Sequence, residues 1–316
     1  MLFNDALFWP GLLWRGPFLR GVLTSFSQIM LQNNRLTGGL FILAVVIYSP
    51  MMAVAAILGC GVSQFCTLML PGRSNGRYDQ LGQGLYGFNG ALVGLAVSCL
   101  WPVSGSTVCM LTMLMVTVIA TLIATIIGHC LNRLKYPTYT SPFILSAWLF
   151  WLLFSPLHLS DSGIAEVAAT AGGSGIETHL FWSALLAIGQ VLFLNSSVSG
   201  ALLLAGLLIA SRVAALAVVF AVILSLVISM LLDFPMLQIA SGMYSYNAVL
   251  VILALHCRGN VRPLTIVCGV LLAVLLTRLL QLFEVLPLTA PFVLSVWALS
   301  CLPPKSVTRR SLGNVL

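Results

Sequence analysis

The chain is written twice. Residues 189–212, G-Q-V-L-F-L-N-S-S-V-S-G-A-L-L-L-A-G-L-L-I-A-S-R, lie on residues 27–50 after a shift of 162 positions, with Gln28/Gln190, Asn33/Asn195, Gly38/Gly200, Leu40/Leu202, Ile47/Ile209 and Ser49/Ser211 identical. Two further echoes follow in the same order: G-L-Y-G-F-N-G-A-L-V from Gly84 against G-M-Y-S-Y-N-A-V-L-V from Gly242, and T-S-P-F-I-L-S-A-W from Thr140 against T-A-P-F-V-L-S-V-W from Thr289. Ordered self-similarity of this kind marks two copies of one structural design. The fold must therefore accept that design in both halves.

Composition says in which solvent. The 316 residues are 60% hydrophobic and 7% charged, whereas roughly a quarter of a soluble domain is charged. An integral membrane protein follows, and continuous rather than alternating apolar runs make it all-α, not a β-barrel. Six apolar segments fall in the first half (roughly 18–32, 36–49, 51–70, 84–100, 106–132 and 141–154) and six in the second (roughly 181–194, 198–211, 213–232, 242–256, 263–283 and 290–302). A crossing takes about 20 residues, so the pieces ending at Asn33-Asn34 and Asn195-Ser196 are expected to be re-entrant half-helices.

With one re-entrant piece per half, five spans remain in each. An odd count inserts the second copy upside down, and such inverted repeats place a site near the bilayer midplane. The predicted division is 1–154 for the first repeat, 155–180 for an extracytoplasmic linker and 181–316 for the second repeat. Charge supports this: Arg15, Arg20, Lys305, Arg309 and Arg310 flank the ends, while the linker carries Asp161, Glu166 and Glu177 and no Lys or Arg. The positive-inside rule then puts both termini in the cytoplasm. Asp5, Trp9, Pro10 and Arg15 interrupt the first apolar run, so no cleavable leader is expected; with Trp14 and Arg20 that opening is an interfacial anchor. The segment 71–83 is taken as a loop peculiar to the first copy.

Several chemistries are missing. All seven acidic residues fall in loops or at segment ends, so no buried carboxylate is available for ion coupling. Arg278, the one basic residue well inside a segment, is expected to snorkel or to pair near Glu284. The eight cysteines are scattered without C-x-x-C and are assigned to packing. His129-Cys130 and His256-Cys257 suggest helix ends rather than a metal site. The net charge of +7 lies in loops and tails, which topology explains better than nucleic acid does.

What the apolar helices do contain is neutral polar groups placed twice: Gln28 and Gln190, Asn89 and Asn247, Thr140 and Thr289. Polar groups in hydrocarbon need partners, and these either bond neighbouring helices or face a pathway. The glutamines precede the ends of the half-helices, where unpaired carbonyls would extend a row of acceptors. Threonine before Ser141-Pro142 and before Ala290-Pro291 occupies a helix N-cap position. Phe88, Leu92, Phe193, Tyr246 and Leu250 accompany these groups, as core packing or as flat apolar walls. A row of acceptors between apolar walls suits a planar, donor-rich, neutral solute.

These three repeated blocks together resemble the urea transporters of bacteria and of vertebrate kidney and erythrocytes, over nearly the whole chain. The resemblance implies a passive, homotrimeric urea channel, each protomer holding a pore between inverted repeats of five spans and a half-helix, without cofactor or catalysis. It implies that Gln28 and Gln190 contact urea, that Thr140 and Thr289 continue the acceptor row, and that Phe88, Leu92, Phe193, Tyr246 and Leu250 form the slots. Leu31 stands where the family motif has phenylalanine, and Gln190 where many bacterial members have glutamate. The expected setting is a bacterial inner (plasma) membrane, with urea and lipid as partners and no nucleic acid. A channel for ammonia or short amides is the alternative within transport; a membrane enzyme or structural subunit is the alternative outside it.

Overall fold

The computed structural model describes residues 17–70, 77–101, 106–132, 137–158, 176–259 and 261–300. The expectations placed on residues 1–16, on linker residues 159–175, on Cys301 and on the basic tail lie outside them. Among the described residues there are helices and no strands. The first half gives α1 (Pro17–Ile29), α2 (Arg35–Tyr48), α3 (Pro50–Met69), α4 (Arg77–Gly82), α5 (Phe88–Leu100), α6 (Thr107–Leu131) and α7 (Ser141–His158). The second gives α8 (Ile176–Gln190), α9 (Ser197–Ala210), α10 (Arg212–Leu231), α11 (Met236–Ala240), α12 (Tyr246–Arg258), α13 (Pro263–Leu282) and α14 (Ala290–Ser300). The halves match element for element.

Over residues 77–83, helix α4 and its counterpart α11 correct the reading of 71–83 as a loop peculiar to the first copy; residues 71–76 of that loop lie outside the described residues. Both copies carry a short helix here, capped by a left-handed glycine, Gly84 at φ +79° and Gly242 at φ +78°. Glycine is required twice over. A Cβ would sit 2.3 Å from Ser25 N at the first position and 2.5 Å from Ala187 N at the second, and φ is positive at both.

Length and composition make α3, α6, α10 and α13 crossing helices, with 20 to 25 residues and mean hydropathy of 1.8 to 2.9. At 1.5 Å per residue they reach roughly 30 Å or more, the thickness of the hydrocarbon core. The remaining apolar helices are shorter, α1 with 13 residues among them. On α6 the face of Met113, Thr117, Ala120, Thr121 and Ala124 is buried, while Val108, Leu111, Met115, Ile119 and Ile126 point outward. Apolar side chains outside and small or hydroxylated ones inside is membrane packing.

Serine punctuates both halves alike. Ser49 (φ −157°) ends α2 and its side chain accepts from Met52 N to cap α3; Ser211 (φ −161°) ends α9 and accepts from Ala214 N to cap α10. Pro50 follows as the first residue of α3, where its missing N–H breaks no helical bond.

Helices α2 and α9 pack against each other across the halves. Thr37 Oγ1 donates to Gly206 O at 2.8 Å and Ser199 Oγ to Ala44 O at 3.1 Å. Ser199 is Thr37 shifted by 162, and Gly206 is Ala44 shifted by 162. Each half therefore gives and receives the same bond, between helices running antiparallel. Helices α7 and α14 form a second contact between the halves.

Candidate functional site

The two predicted half-helices end in the same way. Beyond α1, Leu31 turns left-handed at φ 56°; beyond α8, Phe193 does so at φ 61°. At the first end Gln32 N–H reaches Ser27 O at 3.0 Å and Leu31 N–H reaches Gln28 O at 2.9 Å; at the second Leu194 N–H reaches Gly189 O at 3.1 Å and Phe193 N–H reaches Gln190 O at 3.0 Å. These are Schellman ends, usually made by glycine. A branched or aromatic residue there costs about 1–2 kcal/mol of strain. The expected row of unpaired carbonyls is correspondingly shorter, because each end takes up two of its own.

The threonines come from the other seam. Tyr139 (φ 45°) and Leu288 (φ 43°) are also left-handed, and each turns the chain immediately before a threonine. Thr140 O accepts from Ile144 N and Thr289 O from Val293 N, so both residues sit at the N-cap position of α7 and α14. Their hydroxyls face each other across the halves. Thr140 Oγ1 and Thr289 Oγ1 are 2.8 Å apart, with 3% and 2% of the residues exposed. At that distance no solute fits between them. The pair acts as one unit: two protons and four lone pairs, less one of each spent internally, leave one donor and three acceptors to face a neighbour.

The backbone behind the pair is held by side chains from α5 and α12. Asn89 Nδ2 donates to Tyr139 O at 3.3 Å, and Asn247 Nδ2 to Leu288 O at 3.1 Å. Tyr246 adds its hydroxyl to Leu288 O at 2.7 Å. That phenol is committed to the backbone. Phe88, its counterpart, is half-buried and has no such group. Leu92 and Leu250, one turn on, are 0% and 1% exposed and pack in the core.

Aromatic contacts cross the seam in both directions. Phe143 of the first half meets Phe193 of the second edge-on at 6.1 Å between ring centres, and Phe292 of the second meets Tyr139 of the first at 5.3 Å. Phe193 thus joins a half-helix end to the start of α7. Leu31, its aliphatic counterpart, packs partly buried against the core. Gln28 is half-buried and gives Nε2 to Gln83 O at 3.1 Å. Gln190 is 7% exposed, and its Nε2 has no partner among the described residues.

Sequence reasoning missed two repeated contacts. Thr37 and Ser199 form the reciprocal bonds above; the signal was a hydroxyl before Gly38 and before Gly200. Tyr86 donates to Gln80 and Tyr244 to Gln238, tying each short helix to the turn after it. Both pairs sit at the same 158-residue shift as the Gly84 and Gly242 blocks. Of the two expectations for Arg278, snorkelling or pairing near Glu284, the structure gives no ion pair with Glu284 among the described residues; the guanidinium lies 5.7 Å from the centre of the Phe234 ring, a cation–π contact. Of the cysteines assigned to packing, Cys60 is buried but Cys130, Cys257 and Cys268 are exposed. No group of three metal-ligating side chains occurs among the described residues.

Fold and site together define a class: a duplicated, all-helical, multi-pass membrane protein whose copies meet at a buried hydroxyl pair, each threonine preceded by a left-handed residue. The chain belongs to the urea transporter family, whose model, described as Urea transporter, matches residues 18–303. Similar proteins include Urea transporter 1 of Ovis aries, 21% identical over 254 residues, and Urea transporter 1 of Rattus norvegicus, 23% identical over 255 residues. Each alignment takes in 75% of this chain and 62% of the relative.

Proposed function

We propose that the chain is a passive, channel-like path carrying urea down its gradient, and not an enzyme. The observation that carries this reading is the Thr140–Thr289 hydroxyl pair, 2.8 Å apart at the seam of the halves, in a member of the urea transporter family. Urea is flat, offers four N–H donors and one carbonyl acceptor, and loses water bonds on entering an apolar passage. A pair presenting three acceptors and one donor replaces bonds of both kinds. Gln28 and Gln190 supply amides at the half-helix ends, and Leu31, Phe88, Leu92, Phe193, Tyr246 and Leu250 are assigned to the apolar walls.

The described carboxylates with described side chains, Asp79, Asp233 and Glu284, are all exposed. That supports conduction without ion coupling. The reciprocal bonds between α2 and α9 support inverted repeats: antiparallel equivalent helices are related by a twofold axis perpendicular to them, hence in the membrane plane if they cross it. Five spans and one half-helix per repeat, cytoplasmic termini, a bacterial inner membrane and a homotrimer complete the proposal. The exposed apolar faces of α6 and α13 suit lipid or neighbouring copies.

Stopped-flow efflux from proteoliposomes tests the reading, with urea, thiourea, acetamide, ammonia and glycerol compared in the absence of any ion gradient. Fast, saturable urea flux is expected. Urea flux equal to that of empty liposomes overturns the proposal, and rapid movement of ammonia or acetamide instead would assign the aliphatic Leu31 wall to another small solute.

A further inference from the structure

We propose that Asn247 is a positioning residue that keeps the Thr289 hydroxyl turned toward Thr140. A threonine at an N-cap ordinarily turns its oxygen back to accept the N–H of the second or third helical residue. For Thr289 the second residue of α14 is Pro291, which has no N–H. The third is Phe292, and its N–H already goes to Asn247 Oδ1 at 3.3 Å. Asn247 thus caps α14 from another helix and takes the one proton Thr289 would otherwise accept.

The other end of the same amide fixes the approach to the threonine. Nδ2 donates to Leu288 O at 3.1 Å and to Thr277 Oγ1 at 3.2 Å, holding the left-handed residue before Thr289. Asn247 is 0% exposed and touches no solvent path. With its own helix capped by Asn247, the Thr289 hydroxyl is left to Thr140. In the first half Asn89 Nδ2 holds the left-handed Tyr139, and Pro142 again removes the N–H of the second residue of α7. Asn89 Oδ1 is buried without a partner among the described residues, so the first seam is held from one side and the second from two.

The test has two arms. The first is structural and does not depend on which solute passes: an experimental structure of Asn247→Ala is compared with that of the unaltered protein. Thr289 Oγ1 is expected to leave Thr140 and to accept from Phe292 N–H. An unchanged threonine pair overturns the proposal. The second arm rests on the urea reading and is a double-mutant cycle on flux. Asn247→Ala should lower urea permeability roughly tenfold in the otherwise unaltered protein and less than twofold further in the T289V background, because it acts through that hydroxyl. Equal losses in both backgrounds mean a general structural role and overturn the proposal; no urea flux in the unaltered protein overturns the urea reading alone. Should Asn247→Ala fail to fold, Asn247→Leu, which keeps the side-chain volume and removes the bonds to Phe292 N–H and Leu288 O, runs both arms in the same half, and failure of both variants to fold decides for a purely structural role.

Discussion

Helices α1 and α8 are the same half-helix written twice, yet they are held in place by different chemistry. Their backbones agree closely: left-handed Leu31 and Phe193 at the ends, Gly38 and Gly200 against the carbonyls of Leu23 and Leu185, Gly84 and Gly242 against the residues at 25 and 187. Their side chains do not. Along α1, Thr24 Oγ1 donates to Gly82 O at 3.0 Å, Ser25 Oγ to Gly84 O at 3.0 Å and Gln28 Nε2 to Gln83 O at 3.1 Å. The equivalents on α8 are Leu186, Ala187 and Gln190, of which the first two have no polar side chain. Behind α1, Gln64 Nε2 donates to Ser25 Oγ at 3.2 Å; behind α8 the residue 162 positions on from Gln64 is Leu226. The lesson is that close backbone approach and φ define the design, and that a polar or an apolar solution can seat it.

The largest expected effects come from breaking what the halves share. A Cβ on Gly38 would lie 1.7 Å from Leu23 O, and one on Gly200 1.9 Å from Leu185 O. Backbone cannot yield there as a side-chain tip can, so Gly38→Ala and Gly200→Ala should each cost about 3 kcal/mol or more. Thermal unfolding of the purified protein in detergent reads this out. Comparable losses in both halves are required; a tolerated alanine at one position would show that the two seats are not equivalent.

The threonine pair is shared in a stricter sense, since each half supplies one member. Thr140→Val and Thr289→Val should each slow urea flux by roughly tenfold, because each leaves the remaining buried hydroxyl without its partner. The double variant should lose little beyond either single one, as expected for residues joined by one bond. Losses that multiply would mean that each hydroxyl meets the solute separately.

How much of this was written in the sequence depends on whether the signal was local. The duplication, the apolar segments and the threonine and glutamine pairs were legible because identities recur in order and because hydrocarbon tolerates so few polar residues. The left-handed ends were not: Leu31 and Phe193 carry no glycine signal, and only the packed fold forces them into that region. Helices α4 and α11, of six and five residues, are too short to show a helical period. Asn89 and Asn247 could be noticed as a pair, but their partners lie 50 and 41 residues away along the chain. Identical residues can also differ in their bonds, as Gln28 and Gln190 do, when the groups around them differ.

A smaller effect tests whether the polar seat of α1 is replaceable by the apolar seat of α8. Gln64 is 0% exposed and Ser25 is 0% exposed. Gln64→Leu alone leaves Ser25 without that donor and should destabilise the protein by about 1–2 kcal/mol. Adding Ser25→Ala removes both partners and copies the pairing of Ala187 with Leu226; part of the loss should return, the remainder being the Ser25 bond to Gly84 O. If the double variant is as unstable as the single one, the polar seat does something that packing cannot.

The smallest and most discriminating effect concerns the two glutamines, because their stability changes should differ in sign. Gln28→Leu removes a bond to Gln83 O and should cost about 1 kcal/mol. Gln190→Leu removes a buried N–H group that has no partner among the described residues, so desolvation no longer opposes folding and stability should stay level or rise slightly. Urea flux should fall in both, since each amide is assigned to the pathway. Unfolding midpoints and flux measured on the same preparations separate the two roles. Should Gln190→Leu be as destabilising as Gln28→Leu, that amide is bound to the protein after all, and its assignment to the permeant is lost.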